Sequence, residues 1–66
     1  MEKIMLTPGS MGVAKHAIDL FGIERVEVGA WLNPVRVNDL SEDEIKFAEE
    51  FFREYGIAVT KENPSR

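Results

Sequence analysis

The sequence predicts an α+β domain in which two helices cover one face of a four-stranded antiparallel sheet. Segments with alternating apolar residues and segments with helical periodicity follow one another in the order β-α-β-β-α-β. The two halves also echo each other, since Leu20-Phe21-Gly22-Ile23 and Glu54-Tyr55-Gly56-Ile57 each close a helix and lead into a strand. A strand-helix-strand unit used twice is the split βαβ arrangement of the ferredoxin-like fold, and right-handed crossovers place both helices on one face.

A short loop with proline and glycine separates the first strand from the first helix. The alternation of apolar residues predicts a strand from Glu2 to Thr7. Either Thr7 or Ser10 is expected to cap the helix, because both hydroxyls precede a segment of helical periodicity. The helix is predicted from Met11 to Phe21, and Gly22 ends it with a positive φ.

The middle of the chain predicts a hairpin. Alternation continues from Arg25 to Trp31, which predicts the second strand. Leu32-Asn33-Pro34 has the composition of a turn, and Val35 to Val37 is predicted as a short third strand.

The second helix begins with a capping box. In Ser41-Glu42-Asp43-Glu44 the serine hydroxyl and the Glu44 carboxylate can each accept a hydrogen bond from a free amide of the first turn. The helix is predicted from Glu42 to Tyr55, and Gly56 ends it as Gly22 ended the first.

The last strand, the core and the uncovered sheet face follow from the same periodicity. The strand is predicted from Ile57 to Thr60, so that residues 1–61 form a single domain and residues 62–66 a flexible tail. The strand residues expected in the core beneath the helices are Ile4, Leu6, Val26, Val28, Val35, Val37, Ile57 and Val59. The opposite face of the sheet is expected to carry Met5, Gly29, Trp31, Arg36 and Ala58.

Composition excludes several classes of function. The chain has 66 residues, a net charge of −4 and no cysteine, so binding to nucleic acid or to anionic membranes is disfavoured and disulfides are excluded. No apolar run reaches the roughly 20 residues of a membrane span, and the start lacks the features of a signal peptide, so we expect a cytoplasmic protein. Charged residues make up 30% of the chain and glutamine is absent, which is typical of a thermophile.

Four stretches of the chain match the pattern of a known family. They are Gly9-Ser10-Met11 before the first helix, Gly22-Ile23-Glu24-Arg25-Val26-Glu27-Val28, the start of the second helix at Leu40 to Ile45, and Tyr55-Gly56-Ile57. Through them the sequence resembles the heavy-metal-associated domain, the small copper-chaperone module. The resemblance implies the ferredoxin-like fold. That family binds Cu(I) through two cysteines spaced C-x-x-C, and the corresponding stretch from Ser10 to His16 has none, so neither a metal ligand nor a cofactor is expected here.

No set of side chains predicts catalysis. His16, the single histidine, stands beside Asp19 on the polar side of the first helix, and two such ligands do not complete a zinc site. The acidic residues of the second helix alternate with Lys46 and Arg53 at ion-pair spacing, which indicates a solvated helix surface. Since no nucleophile is paired with a base, the sequence predicts a protein that is not an enzyme.

Two binding surfaces remain. The loop before the first helix could hold a small anion on helix amides, and its residues are Thr7, Gly9, Ser10, Met11 and Gly12. The uncovered sheet face could bind a protein partner, and its candidate interface residues are Met5, Trp31, Arg36 and Ala58. Trp31 could instead fold over the end of the sheet to complete the core. We expect a module that forms a homodimer or docks on a larger protein; the alternatives are a regulatory domain that binds an anion, or a degenerate relative of the metal chaperones.

Overall fold

The structure, a computed structural model that describes residues 1–62, is a ferredoxin-like βαββαβ domain. Four strands form one antiparallel sheet in which the third strand along the chain lies between the second and the first, and the fourth lies outside the first. The elements are β1 (Glu2–Thr7), α1 (Met11–Phe21), β2 (Val26–Val28), β3 (Val35–Leu40), α2 (Glu42–Arg53) and β4 (Ala58–Glu62), with single 3-10 turns at Ile23–Arg25 and Ala30–Leu32.

The central strand β1 sets the register of the sheet. Met5 lies opposite Arg36 of β3 on one side and Thr60 of β4 on the other. Leu6 pairs with Val35, which in turn pairs with Val28 of β2. The carboxyl ends of β1 and β2 and the amino ends of β3 and β4 therefore lie at the same end of the sheet.

The core lies between the sheet and the two helices, as predicted. Alternate residues of β1 and β3 are fully buried, and the helices add the apolar residues that face them. The buried residues are Ile4, Leu6, Val13, Ala14, Ala17, Val35, Val37, Leu40, Ile45, Ala48 and Phe52. Val26, Ile57 and Val59 of the predicted core are partly buried against this cluster. The prediction for Val28 is wrong, since it is 49% exposed as the last residue of a three-residue edge strand.

Several strand boundaries differ from the prediction. β2 begins at Val26 and β4 at Ala58, each one residue later than predicted. β2 ends at Val28 instead of Trp31, because the chain closes a turn in which the Gly29 amide donates to the Pro34 carbonyl (2.8 Å). β3 continues to Leu40, which pairs with Glu2 across an irregularity in the register.

The fourth strand is also longer than predicted. β4 runs to Glu62, which pairs with Lys3, so Lys61 and Glu62 belong to the sheet. The remaining residues of the predicted tail, 63–66, lie outside the described part of the chain.

The helix ends follow the predicted chemistry. The Ser10 hydroxyl, and not that of Thr7, caps α1 by accepting from the Val13 amide (3.1 Å). The capping box of α2 is confirmed, with both reciprocal hydrogen bonds between Ser41 and Glu44 present. α2 ends at Arg53, two residues before the predicted Tyr55.

The chain leaves α2 through a Schellman motif. The Ile57 amide donates to the Phe52 carbonyl (3.0 Å) and the Gly56 amide to the Arg53 carbonyl (2.9 Å). Gly56 has a φ of 76°, which a residue with a side chain rarely adopts, so the predicted role of this glycine is confirmed. The motif leaves Tyr55 at the last position of the helical turn, beside the start of β4.

Candidate functional site

One end of the domain is built from three segments that contain no charged residue. They are residues 7–14 from the end of β1 into the first turn of α1, residues 28–35 from the end of β2 to the start of β3, and residues 55–60 from the end of α2 into β4. The sheet register brings all three to the same end. We call this surface the uncharged end. In the described part of the chain, Lys15, Glu27, Arg36 and Glu54 flank these segments, while Lys61, which follows the third segment, makes its ion pairs at the other end of the sheet.

Large apolar side chains are exposed on the uncharged end. Trp31, the single tryptophan, is 95% exposed, and Met11 is 72% exposed. Tyr55 is 60% exposed and Val28 about half. Exposed apolar residues scattered singly are ordinary on protein surfaces, whereas a contiguous group within a polar border marks an interaction surface.

Trp31 lies in a tight turn and not on the sheet, so the prediction that it shares the open sheet face is wrong. Trp31 and Leu32 have φ values of 60° and 63°, a conformation that side-chain-bearing residues adopt at a cost. The turn is held by the Leu32 amide donating to the Gly29 carbonyl (3.0 Å) and the Asn33 amide donating to the Ala30 carbonyl (3.2 Å). The alternative that Trp31 completes the core is also wrong, because the side chain is almost fully in solvent.

A second contact fixes this turn to the loop before α1. The Gly9 amide donates to Asn33 Oδ1 (2.8 Å). The backbones approach so closely that a Cβ on Gly9 would overlap the Leu32 carbonyl oxygen and lie 3.0 Å from Asn33 Cα. The turn that carries Trp31 is therefore braced from the neighbouring loop.

A groove of about 270 Å³ opens beside the start of α1. Its floor is apolar and consists of Val13, Phe52 and Ile57, and its rim includes Ser10 and Gly12. The side chains of His16 and Tyr55 complete the rim. We call this feature the helix groove.

Aromatic contacts hold the rim of the helix groove. The rings of His16 and Tyr55 stack, with centroids 5.4 Å apart and an interplanar angle of 29°. Phe51 lies behind both, with its centroid 5.3 Å from that of His16 and 5.2 Å from that of Tyr55. Sequence reasoning missed this role and placed His16 on the solvated side of the helix. The signal that could have found it is the spacing of Phe47, Phe51 and Tyr55 along one stripe of α2.

The predicted anion loop serves mainly to cap and to brace. Thr7 belongs to β1, where it pairs with Ala58. The Gly9 amide donates to Asn33 and the Ser10 hydroxyl accepts from the Val13 amide. Within residues 1–62, the loop amides without a hydrogen-bond partner are those of Ser10, Met11 and Gly12.

The open sheet face is more polar than predicted. Met5, Arg36 and Ala58 do share it, but Arg36 Nε donates to Glu62 Oε1 (2.9 Å), which places an ion pair across the face. The Arg36 guanidinium also approaches Met5 Sδ at 3.8 Å. The apolar surface expected on this face thus lies elsewhere, on the uncharged end.

Ion pairs concentrate at the opposite end of the domain. Arg25 Nη1 lies 3.2 Å from the Glu44 carboxylate, and Lys61 Nζ lies 3.6 Å from Glu2 and 3.7 Å from Glu42. The hydrogen bond from the Ser41 amide lowers the pKa of Glu44 most, desolvation opposes it, and the Arg25 guanidinium adds to the lowering.

Among residues 1–62 no three histidine or acidic side chains come together as ligands for a metal ion. None of the helices in this part of the chain has the length and apolar character needed to cross a membrane. Comparison with protein-family models, with curated proteins and with solved structures finds no significant match.

Proposed function

We propose that this protein is a non-enzymatic interaction module that binds a protein partner through its uncharged end. The observation that carries the proposal is Trp31, which a braced turn holds almost fully in solvent on a surface without charges. A small domain gains most of its stability from apolar burial, so leaving its largest apolar side chain exposed is unfavourable unless a partner covers it.

The chemistry of the uncharged end is that of a protein interface. Interface centres are depleted in charge and enriched in tryptophan, tyrosine and methionine, and their rims are polar. Trp31, Tyr55 and Met11 supply the first feature, and the charged residues around the three segments supply the second. Tryptophan is also the residue type most enriched among side chains that dominate binding energy.

The titratable groups support a role without catalysis. Glu44 is engaged by Ser41 and Arg25, Glu62 by Arg36, and Glu2 by Lys61. These contacts stabilise helix and strand ends, and they lie away from the helix groove. A catalytic carboxyl pair would need contrasted environments within reach of one substrate.

An affinity pull-down from the source cell tests the proposal. The bait would be the wild-type chain, Trp31→Ala, and the matched control Ile23→Ala, which truncates a residue that is 69% exposed at the opposite end of β2. We expect the wild type and Ile23→Ala to retain the same protein and Trp31→Ala to lose it. Equal retention by all three chains, or none, would contradict a partner at the uncharged end.

A further inference from the structure

We infer that the partner at the uncharged end is a second copy of this chain, with each Trp31 seated in the helix groove of the other copy. This inference rests on the proposed function and adds the identity of the partner. It also moves the expected homodimer contact from the sheet to the end of the domain.

The uncharged end carries both a projection and a groove, which a symmetric pair requires. In a two-fold contact the same surface meets itself, so every projecting group needs a recess on that same surface. Trp31 projects from the turn between β2 and β3, at one edge of the sheet. The helix groove is bounded by Ile57, which precedes β4 at the other edge. A two-fold axis lying in the plane of this end, between the two features, places each Trp31 over the groove of the other copy.

The helix groove has the size and the lining that an indole needs. Its volume of about 270 Å³ is below the roughly 300–1,000 Å³ of drug-sized ligand sites and suits a single aromatic side chain. The floor of Val13, Phe52 and Ile57 is apolar, and the stacked rings of His16 and Tyr55 offer the edge and face contacts that aromatic pairs prefer. The rim is already ordered by Phe51, so little conformational freedom is lost on binding.

The charge of the chain points to the same contact. Each copy carries −4, and two such copies repel each other wherever their carboxylates approach within a Debye length of about 8 Å. The uncharged end lets the copies meet while the ion pairs of Arg25 and Lys61 stay at the far ends. A standard interface buries about 800 Å² per partner, which is roughly a fifth of the 4375 Å² accessible surface of this chain.

Light scattering coupled to size exclusion tests the inference on the purified chain at tens to hundreds of micromolar. We expect the wild type and Ile23→Ala at twice the 7.5 kDa chain mass, and Trp31→Ala at the monomer mass. Gly12→Glu should also be monomeric, because its side chain enters the groove. That variant should fold, since the nearest atom to an added Cβ is Ser10 Oγ at 3.8 Å and an acidic residue suits the first turn of a helix.

Mixing the two monomeric variants gives the sharper result. Trp31→Ala keeps the groove and Gly12→Glu keeps the tryptophan, so a mixed pair retains one of the two contacts. We expect differently labelled variants to associate with each other, at least about tenfold more weakly than the wild type, and neither variant to associate with itself. Circular dichroism spectra of both variants serve as the control for folding.

Three outcomes would overturn the inference. They are a wild type that is monomeric throughout the range, a dimer that Trp31→Ala leaves intact, and a mixture of the variants that does not associate. The pull-down separates this failure from that of the proposed function: Trp31-dependent capture of another protein by a monomeric wild type supports the function and removes only the second copy.

Discussion

At the scale of single residues, Trp31 combines two unfavourable features. Its backbone has a φ of 60°, and its side chain is 95% exposed. Residues held in sparsely populated backbone regions persist only where the surrounding structure imposes them, and they cluster at functional sites. Here the surrounding structure is a turn closed between Gly29 and Pro34 and braced by Gly9, so the chain holds an apolar side chain in solvent with a defined orientation.

Gly9 makes this bracing testable. Gly9→Ala should destabilise the domain by about 1–3 kcal/mol, because its Cβ would overlap the Leu32 carbonyl oxygen and the two loops must separate. Gly12→Ala is the matched control, since it adds the same methyl in open space within α1 and should stabilise by about 0.5–1 kcal/mol. Thermal unfolding of both variants measures the effects, and equal melting temperatures would contradict the close approach of the loops.

Glu44 predicts a pH dependence of stability. Its pKa is lowered in the folded chain by the Ser41 amide and also by Arg25, whereas the pKa of a glutamate in an unfolded chain is about 4.3. The folded state therefore binds a proton less readily than the unfolded state. The stabilisation by the ionised Glu44 is complete above the pKa of the unfolded chain. It is lost as the pH falls through the lower pKa of the folded chain.

A pair of charge-removing variants measures this effect. Glu44→Gln should be less stable than the wild type at pH 7 and should lose less stability between about pH 4.5 and pH 3. Glu50→Gln, on the exposed side of the same helix, should follow the wild type. Denaturant titrations at several pH values report the difference. If the free energies of unfolding of the wild type and Glu44→Gln change in parallel with pH, the capping carboxylate contributes nothing to the pH dependence of stability.

At the scale of elements, α2 carries aromatic residues that are buried in the core and others that lie partly in solvent. Phe52 is buried against the sheet, while Phe47, one turn and a half earlier, is 47% exposed. Phe52→Ala should cost about 3–5 kcal/mol, enough to unfold a marginal domain, whereas Phe47→Ala should cost far less. Thermal unfolding of both variants tests the prediction. If Phe52→Ala melts within a degree or two of the wild type, the face of α2 that meets the core has been assigned wrongly.

The elements that could be predicted from the sequence are those whose signals are local. The capping box at Ser41 and the glycine after α2 are set by bonds within a few residues, and both were predicted. The length of a strand depends instead on its partner. The alternation of apolar residues continues to Trp31, but β2 ends opposite the first residue of β3. Lys61 and Glu62 extend β4 because β1 lies beside them and supplies their backbone partners.

The candidate site was harder to predict than the fold for the same reason. Trp31 was predicted to be a candidate interface residue, but its position on the uncharged end depends on a turn that the alternation of apolar residues does not reveal. The contact of His16 with Phe51 and Tyr55 joins two helices, and the aromatic stripe of α2 does not by itself show which residue of α1 it meets. The three segments without charge were visible in the sequence, and only the sheet register shows that they meet.

At the scale of the whole molecule, the two ends of the sheet differ in chemistry. Ion pairs of Arg25 and Lys61 fasten helix and strand ends at one end, and apolar side chains without charge form the other. Exposed ion pairs contribute little each, typically 0–1 kcal/mol, so they do not offset the small core of a 66-residue chain. Covering the uncharged end would bury the apolar surface that the fold itself leaves in water.

If a second copy covers that end, stability must depend on concentration. Unfolding of a dimer releases two chains, so each tenfold rise in concentration adds about 1.4 kcal/mol per dimer to the free energy of unfolding. For two chains of this length, with an unfolding entropy of about 2.1 cal/mol/K per residue, the melting temperature should rise by about 5 °C per tenfold. Trp31→Ala should melt at one temperature at every concentration, and Ile23→Ala should follow the wild type. Differential scanning calorimetry from about 10 µM to 1 mM measures the slope. A wild-type melting temperature that does not change over this range would mean that the small core is sufficient for a stable monomer and that Trp31 meets water or a different protein.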